Sequence, residues 1–154
     1  MQLRNRIALA PMAGLTDVPF RTLAWQFGAG HMVSEMVASK LDLWHTQKSQ
    51  LRREALPCAA PMAVQMAGNE PSVMAETARR LVDEGAALID ITFGCPATSV
   101  CRRAAGSALL ADLDRVAAIV ENVASAVDVP VTVKTRTGWV VGDQVGIATV
   151  RAAE

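Results

Sequence analysis

The sequence has few cysteines, few aromatic residues and no uncharged apolar run long enough to cross a membrane. The three cysteines, Cys58, Cys95 and Cys101, are an odd number without a CxxC pair. The two histidines, His31 and His45, lie far along the chain from the pair Cys95 and Cys101. These absences disfavour both a disulfide framework and a structural metal site.

No charge of either sign predominates, since Lys and Arg number 15 and Asp and Glu also number 15. A nucleic-acid partner therefore cannot be inferred from net charge, and any phosphate contacts must come from local clusters. The first ten residues, MQLRNRIALA, do not have the pattern of a signal peptide. Together with the missing membrane segment, this predicts a cytoplasmic protein.

Hydrophobic residues make up 51% of the chain, mostly Ala, Val and Leu, which suits strands buried on both faces of a parallel sheet. Short aliphatic runs alternate with amphipathic helical patterns, as in α/β proteins. The first helix is predicted to begin at Thr16, and 37–54 to be loop plus helix. Later helices are predicted to open at Pro71 and after Asp112. The predicted strands are Ile7–Pro11, His31–Ser34, Met62–Met66, Leu88–Thr92 and Val131–Lys134.

Two parallel architectures fit this alternation: a doubly wound open sheet and a (β/α)8 TIM barrel. The open sheet usually has a GxGxxG turn after its first strand, whereas here that turn reads Pro11-Met12-Ala13-Gly14. A complete barrel takes about 250 residues, so about the first five βα units of one would fill this chain. Of the two architectures, these features favour a partial TIM barrel over residues 1–154.

Active sites of parallel α/β proteins lie at the carboxyl ends of the strands. The residues predicted at this edge include the amide of Gln65, the thiol of Cys95, the ammonium of Lys134 and the guanidinium of Arg136. Gly94 and Pro96 flank Cys95 in a rigid turn that should expose the thiol. This set suits an anionic planar cofactor and a proton-transferring thiol.

Other residues of the same types have ordinary structural explanations. Cys58 and Cys101 are predicted to be small packing residues, and Asp90 a satisfied carboxylate inside the barrel. Glu35 is open between a paired structural carboxylate and a substrate contact. The arginine doublets at 52–53, 79–80 and 102–103 are predicted to be solvated helix faces and not RNA contacts.

Five segments together resemble the tRNA-dihydrouridine synthase family, in its order and spacing. They are APMAGLTDVPFR (10–21), SEMV (34–37), VQMAGNEP (64–71), GCP with GSALL (94–96 and 106–110), and VKTRTGW (133–139). The resemblance covers essentially the whole chain. It implies an FMN-binding TIM barrel followed by a helical domain that helps to hold tRNA.

The resemblance also implies roles for individual residues. NADPH would reduce FMN, hydride would pass to carbon 6 of a uracil flipped out of the tRNA, and Cys95 would protonate carbon 5. Pro11, Met12 and Ala13 would pack on the flavin. Gln65 would hydrogen-bond its polar edge, and Lys134 would lie near its electron-accepting end.

The chain departs from the family at Thr92, where Asn is common, and at Ser99, where Lys is common. These departures put one flavin or substrate contact and one substrate-side charge in doubt. The alternatives are another FMN barrel oxidoreductase, of the dihydropyrimidine or dihydroorotate type, and an inactive truncated piece. On its own, a piece of a barrel is expected to be unstable and to bind FMN poorly.

Overall fold

The computed structural model describes residues 3–56, 62–138 and 142–154. These ranges contain six short parallel strands and six α-helices, and 3₁₀ turns lie at Leu41–Leu43 and Gly106–Ala111. In chain order the elements are β1 (Ala8–Leu9), α1 (Val18–Gln26), β2 (His31–Met32), β3 (Val37–Ala38), α2 (Gln47–Arg52), β4 (Ala63–Ala67), α3 (Pro71–Asp83), β5 (Leu88–Thr92), α4 (Thr98–Cys101), α5 (Leu113–Ala124), β6 (Val131–Lys134) and α6 (Val145–Ala153).

The order of the strands in space follows their order in the chain. Strands β3, β4, β5 and β6 pair side by side and in parallel, β1 pairs with β2, and Val33 forms a bridge to Ala63 that joins the two groups. A doubly wound sheet reverses its order at a switch point, and no reversal occurs among the described strands. The structure is therefore an arc of a TIM barrel, as predicted.

Strands β2 and β3 act as one interrupted barrel strand. Val33 pairs with Ala63, and Val37 pairs with Met66. The step between these pairs is therefore four residues on the interrupted strand but three residues on β4. The extra residue makes a bulge at Ser34, whose hydroxyl accepts a 3.1 Å hydrogen bond from the backbone N–H of Gln65. The sequence prediction missed β3, because two residues beside a bulge leave no alternating pattern.

The two faces of the sheet differ in chemistry. Val64, Met66, Ile89 and Ile91 are fully buried in the apolar core that also contains side chains of α3 and α5. The other face is the interior of the barrel arc, and the strand register places polar residues side by side on it: Gln65 beside Asp90, Asp90 beside Thr132, and Thr92 beside Lys134. The alternation within each strand thus separates a core from a polar surface.

The helix starts agree with the sequence except at the first helix. Pro71 opens α3, and Asp112 caps α5 by accepting a 3.0 Å hydrogen bond from Arg115 N–H. The N-cap of α1 is Asp17, whose carboxylate accepts from Phe20 N–H, so the prediction of Thr16 was wrong. The Thr16 hydroxyl instead bonds the backbone of Met12.

Candidate active site

A polar cluster on the interior face joins three neighbouring strands. Gln65 Nε2 donates a 2.6 Å hydrogen bond to Asp90 Oδ2, and Thr132 Oγ1 donates a 2.7 Å bond to Asp90 Oδ1. Asp90 is thus the satisfied interior carboxylate that the sequence predicts. Because a carboxylate only accepts hydrogen bonds, it fixes the NH₂ group of Gln65 towards itself and turns the amide carbonyl away.

The electrostatics of this cluster are set by burial. Asp90 is 6% exposed, and burial raises the pKa of its carboxyl above the ordinary value of 3.8. The hydrogen bonds from Gln65 and Thr132, and the positive charge of Lys134, oppose that rise. Lys134 is itself exposed on the interior face, at the end of β6. The face therefore combines an oriented but buried amide with a solvent-accessible cation.

The turn that carries Cys95 begins where β5 ends. Phe93 N–H donates to the Lys134 carbonyl at 2.8 Å, which ties the start of the turn to the end of β6. Gly94 N–H donates to Thr92 Oγ1 at 3.4 Å. Thr92 is buried on this face, so in this chain it supports the turn from below.

The GSALL segment holds the other side of the same turn. Ser107 N–H donates to the Cys95 carbonyl at 2.9 Å, and the Cys101 thiol lies 3.5 Å from both that carbonyl and Ser107 Oγ. Gly106 has φ +62, and a Cβ there would lie 2.7 Å from the Cys95 carbonyl oxygen. Two segments ten residues apart thus form one unit, in which the partly exposed Cys95 is held at its backbone.

The loop after β1 presents Pro11, Met12 and Ala13 at the surface, with Pro11 half-buried and the other two exposed. Buried Thr16 closes the loop from beneath, since its hydroxyl accepts from Met12 N–H at 2.9 Å. Glu35 holds the far end, because its carboxylate accepts a 2.7 Å hydrogen bond from Gly14 N–H. Glu35 is therefore paired within the protein, as one of the two alternatives left open by the sequence predicts.

The structure brings some predicted residues together and leaves others apart. Gln65 and Lys134 share the interior face through Asp90, and the backbone of Phe93 ties the Cys95 turn to Lys134. No hydrogen bond within the described ranges joins the loop of Pro11, Met12 and Ala13 to this cluster. Cys58 and Trp139 lie outside the described residues.

One prediction about the arginine doublets was wrong. Arg53 is buried, and its guanidinium bonds the Glu84 carboxylate and the Trp44 carbonyl, so it is not part of a solvated face. In the doublet at 79–80, Arg79 is exposed as expected, whereas Arg80 is half-buried; both pair with Glu76 on their own helix.

Sequence reasoning missed Thr16, Thr132 and Ser107 as supports of the site. The position of Thr132 could have been predicted, because it lies two residues before Lys134 in the same strand and so shares a face of the sheet with it. Within the part of the chain that is described, no group of three or more His, Cys, Asp or Glu side chains could hold a metal ion. In the same ranges, no helix has the length and apolar character needed to span a bilayer.

Comparison with known proteins gives the family. Residues 8–154 match the family model described as dihydrouridine synthase. The chain is 52% identical over 152 residues to tRNA-dihydrouridine synthase B of Pseudomonas putida. That alignment covers 99% of this chain and 45% of the Pseudomonas protein. It is 53% identical over 138 residues to the enzyme of the same name from Escherichia coli K12, covering 90% of this chain and 43% of that protein.

The chain therefore spans less than half the length of these curated relatives. The similarity nevertheless extends over almost all of the chain and includes both the GCP turn and the GSALL segment that supports it. The chain belongs to the dihydrouridine synthase family.

Proposed function

We propose that this chain forms the N-terminal part of the catalytic barrel of a tRNA-dihydrouridine synthase, which reduces uridine in tRNA. The observation that carries the proposal is the Cys95 turn, fixed by Gly106, Ser107 and Cys101 at the end of β5 and tied to the end of β6. Since tRNA is the substrate in this proposal, the protein is assigned to the cytoplasm.

The residues present fit an FMN cofactor. A flavin ring has a polar edge of carbonyl and N–H groups, and the fixed amide of Gln65 matches that edge. The exposed ammonium of Lys134 on the same face stabilises negative charge on a bound ring. Pro11, Met12 and Ala13 offer a small apolar surface against which a planar group can pack. When bound, FMN supplies hydride for carbon 6 of the uracil, after its own reduction by NADPH.

Cys95 is the general acid in this proposal. Saturating the C5–C6 bond adds one hydride and one proton, so a proton donor must stand beside carbon 5. The Cys95 thiol is half-buried and carried by a turn whose carbonyl is already engaged by Ser107 N–H. Movement of the backbone is thereby restricted, and the S–H is free to point at the base. The S–H bond breaks as the C5–H bond forms, and solvent then reprotonates the thiolate.

The test is a chimera, with this chain in place of the 152-residue segment that it matches in the Pseudomonas putida relative. The chimera and the chain as it stands are incubated with FMN, NADPH and tRNA that lacks dihydrouridine, and the nucleosides are measured by mass spectrometry. The proposal predicts dihydrouridine formation by the chimera. Reduction of free uracil in place of tRNA would instead indicate the alternative of a dihydropyrimidine-type oxidoreductase, and no flavin-dependent reduction of either would favour an inactive piece.

A further inference from the structure

A cavity lies on the same edge of the sheet as Cys95 and has no part in the chemical step proposed above. Its volume is about 100 Å³, and it is formed by three segments. These are the residues around and after β3, the Ala67-Gly68-Asn69 turn after β4, and the stretch from α4 to Ala105. Cys95 does not line this cavity.

Two cations from separate segments line the cavity. Lys40 follows β3, and Arg103 follows α4; both are exposed. Neither forms an ion pair with an acidic side chain in the described ranges, although five other ion pairs occur there. Among the residues that the structure describes, no Asp or Glu lines the cavity. Its charge is therefore positive and uncompensated, which favours an anionic ligand.

A buried hydroxyl at the same place lacks a partner. Ser39 lines the cavity and is 8% exposed, and its Oγ has no hydrogen bond in the part of the chain that is described. Buried polar groups in folded proteins are almost always satisfied, and an exception calls for an explanation such as strain, a functional role, or a bound water or ion. Gly68 packs against this serine, since a Cβ at Gly68 would lie 2.9 Å from Ser39 Cβ.

We infer that this cavity binds a backbone phosphate of the RNA substrate, next to the nucleotide whose base reaches Cys95. An ammonium, a guanidinium, a hydroxyl and the Asn69 amide are donors suited to phosphate oxygens. The inference rests on the proposed function, because that function makes RNA the ligand.

The position of α4 supports a phosphate of the RNA and not of a free nucleotide. The helix begins three residues after Cys95, Arg103 follows its end, and the Cys101 thiol contacts the Cys95 carbonyl at 3.5 Å. One short segment thus carries the thiol at one end and a cavity cation at the other. An RNA strand that places its base at Cys95 runs past this segment with its phosphates.

The first test compares Lys40→Ala/Arg103→Ala with Lys48→Ala/Arg151→Ala, a double variant with the same loss of charge at exposed residues outside the cavity. Binding to tRNA is measured over a range of salt concentrations, in the chain and in the chimera. The cavity variant should weaken binding about tenfold at low salt and reduce the slope of log K against log salt by about 1. The control should change binding less than about twofold. Equal effects of the two variants would overturn the inference.

The second test is Ser39→Ala, which changes no charge. If the hydroxyl contacts phosphate, this variant binds tRNA about threefold or more weakly while its unfolding midpoint stays the same or rises. Unchanged tRNA binding would contradict the inference, and so would a raised KM for NADPH with normal tRNA binding, because the cavity would then hold the phosphate of a free nucleotide.

Failure of the inference and failure of the proposed function give different results. A chimera that makes dihydrouridine while all cavity variants bind tRNA normally would refute only the phosphate site. A chimera that makes none, but loses tRNA affinity in Lys40→Ala/Arg103→Ala and Ser39→Ala, would refute only the proposed reaction.

Discussion

The side-chain amide of Gln65 donates a 2.6 Å hydrogen bond to the buried carboxylate of Asp90 on the neighbouring strand. This bond orients the one amide on the interior face that the proposal assigns to the cofactor. A Gln side chain without this bond could turn either its NH₂ group or its carbonyl towards a ligand. The bond to Asp90 engages the NH₂ group and leaves the carbonyl for the ligand. Asp90 is therefore a positioning residue that acts through Gln65.

Replacing Asp90 tests this positioning. Asp90→Leu leaves the Gln65 amide, itself 4% exposed, without its acceptor, which should lower the free energy of unfolding by about 1–3 kcal/mol. It should also weaken FMN binding. Asp90→Asn keeps one acceptor oxygen and should therefore lose much less stability and much less FMN affinity. Urea unfolding and quenching of flavin fluorescence measure the two effects, with the exposed Asp83→Leu as control; equal losses in Asp90→Asn and Asp90→Leu would contradict the account.

The raised pKa of Asp90 predicts a dependence of stability on pH. Burial makes the folded pKa higher than the unfolded one, so the folded state binds more protons between the two values. The contribution of Asp90 to stability is therefore greatest at low pH and falls as pH rises from its ordinary value of 3.8 through the folded pKa.

The measurement is the difference in free energy of unfolding between the wild type and Asp90→Asn from pH 4 to 7. Taking the difference cancels the titration of other carboxylates. The wild type should lose stability relative to Asp90→Asn as pH rises. A gain of relative stability with rising pH would show that Asp90 has a lowered pKa, contrary to its burial.

Gly106 is expected to control the Cys95 turn. Gly106→Ala places a Cβ 2.7 Å from the Cys95 carbonyl oxygen at φ +62, which should destabilise the protein by about 1–3 kcal/mol and displace the thiol. Gly85 is a matched control, since it has φ +99 with nothing within 4 Å of the added Cβ. Gly85→Ala should lower stability without lowering the rate per folded molecule, whereas Gly106→Ala should lower both. Equal rates per folded molecule in Gly106→Ala and Gly85→Ala would refute the coupling between the GSALL segment and the Cys95 turn.

Glu35 should affect cofactor binding through the loop of Pro11, Met12 and Ala13. Glu35→Ala removes the acceptor of the 2.7 Å bond from Gly14 N–H and should weaken FMN binding about threefold to tenfold. Glu35→Gln keeps an acceptor oxygen and should restore most of the affinity. Glu76→Ala, which removes only the ion pairs with Arg79 and Arg80 within α3, serves as control. Normal FMN affinity in Glu35→Ala would show that the loop of Pro11, Met12 and Ala13 does not contribute to cofactor binding through Glu35.

Much of this architecture was predictable from sequence because burial follows a simple alternation. Leu88–Thr92 and Val131–Lys134 were predicted with their observed bounds, since aliphatic residues on one face and polar ones on the other mark them clearly. Of the bulged strand at 31–38, the first part was predicted as His31–Ser34 and is observed as β2, whereas β3 was missed because a bulge breaks the alternation. The N-cap at Asp17 and not Thr16 was undecidable, as both residue types cap helices and only the contact of Thr16 with Met12 distinguishes them.

The site was predictable in its residue types but not in its connections. Gln65, Cys95 and Lys134 stand out as polar or reactive groups at strand ends. That Asp90 orients Gln65 depends on a contact between residues 25 apart in the chain. That Cys101 and Gly106 support Cys95 depends on how the chain turns back towards Cys95 after Pro96. Burial of Arg53 against Glu84 likewise arises from a pairing 31 residues apart. No local pattern encodes such pairs.

The most direct test of the account is Cys95→Ala in the chimera, with Cys101→Ala as control. A thiol that protonates carbon 5 predicts that Cys95→Ala lowers the rate of dihydrouridine formation about 10²–10⁴-fold, while tRNA and FMN affinities stay within about twofold. Cys101→Ala, which alters only a support of the turn, should lower the rate far less. A rate for Cys95→Ala within tenfold of the wild type, at equal tRNA and FMN occupancy, would contradict the assignment of Cys95 as the general acid.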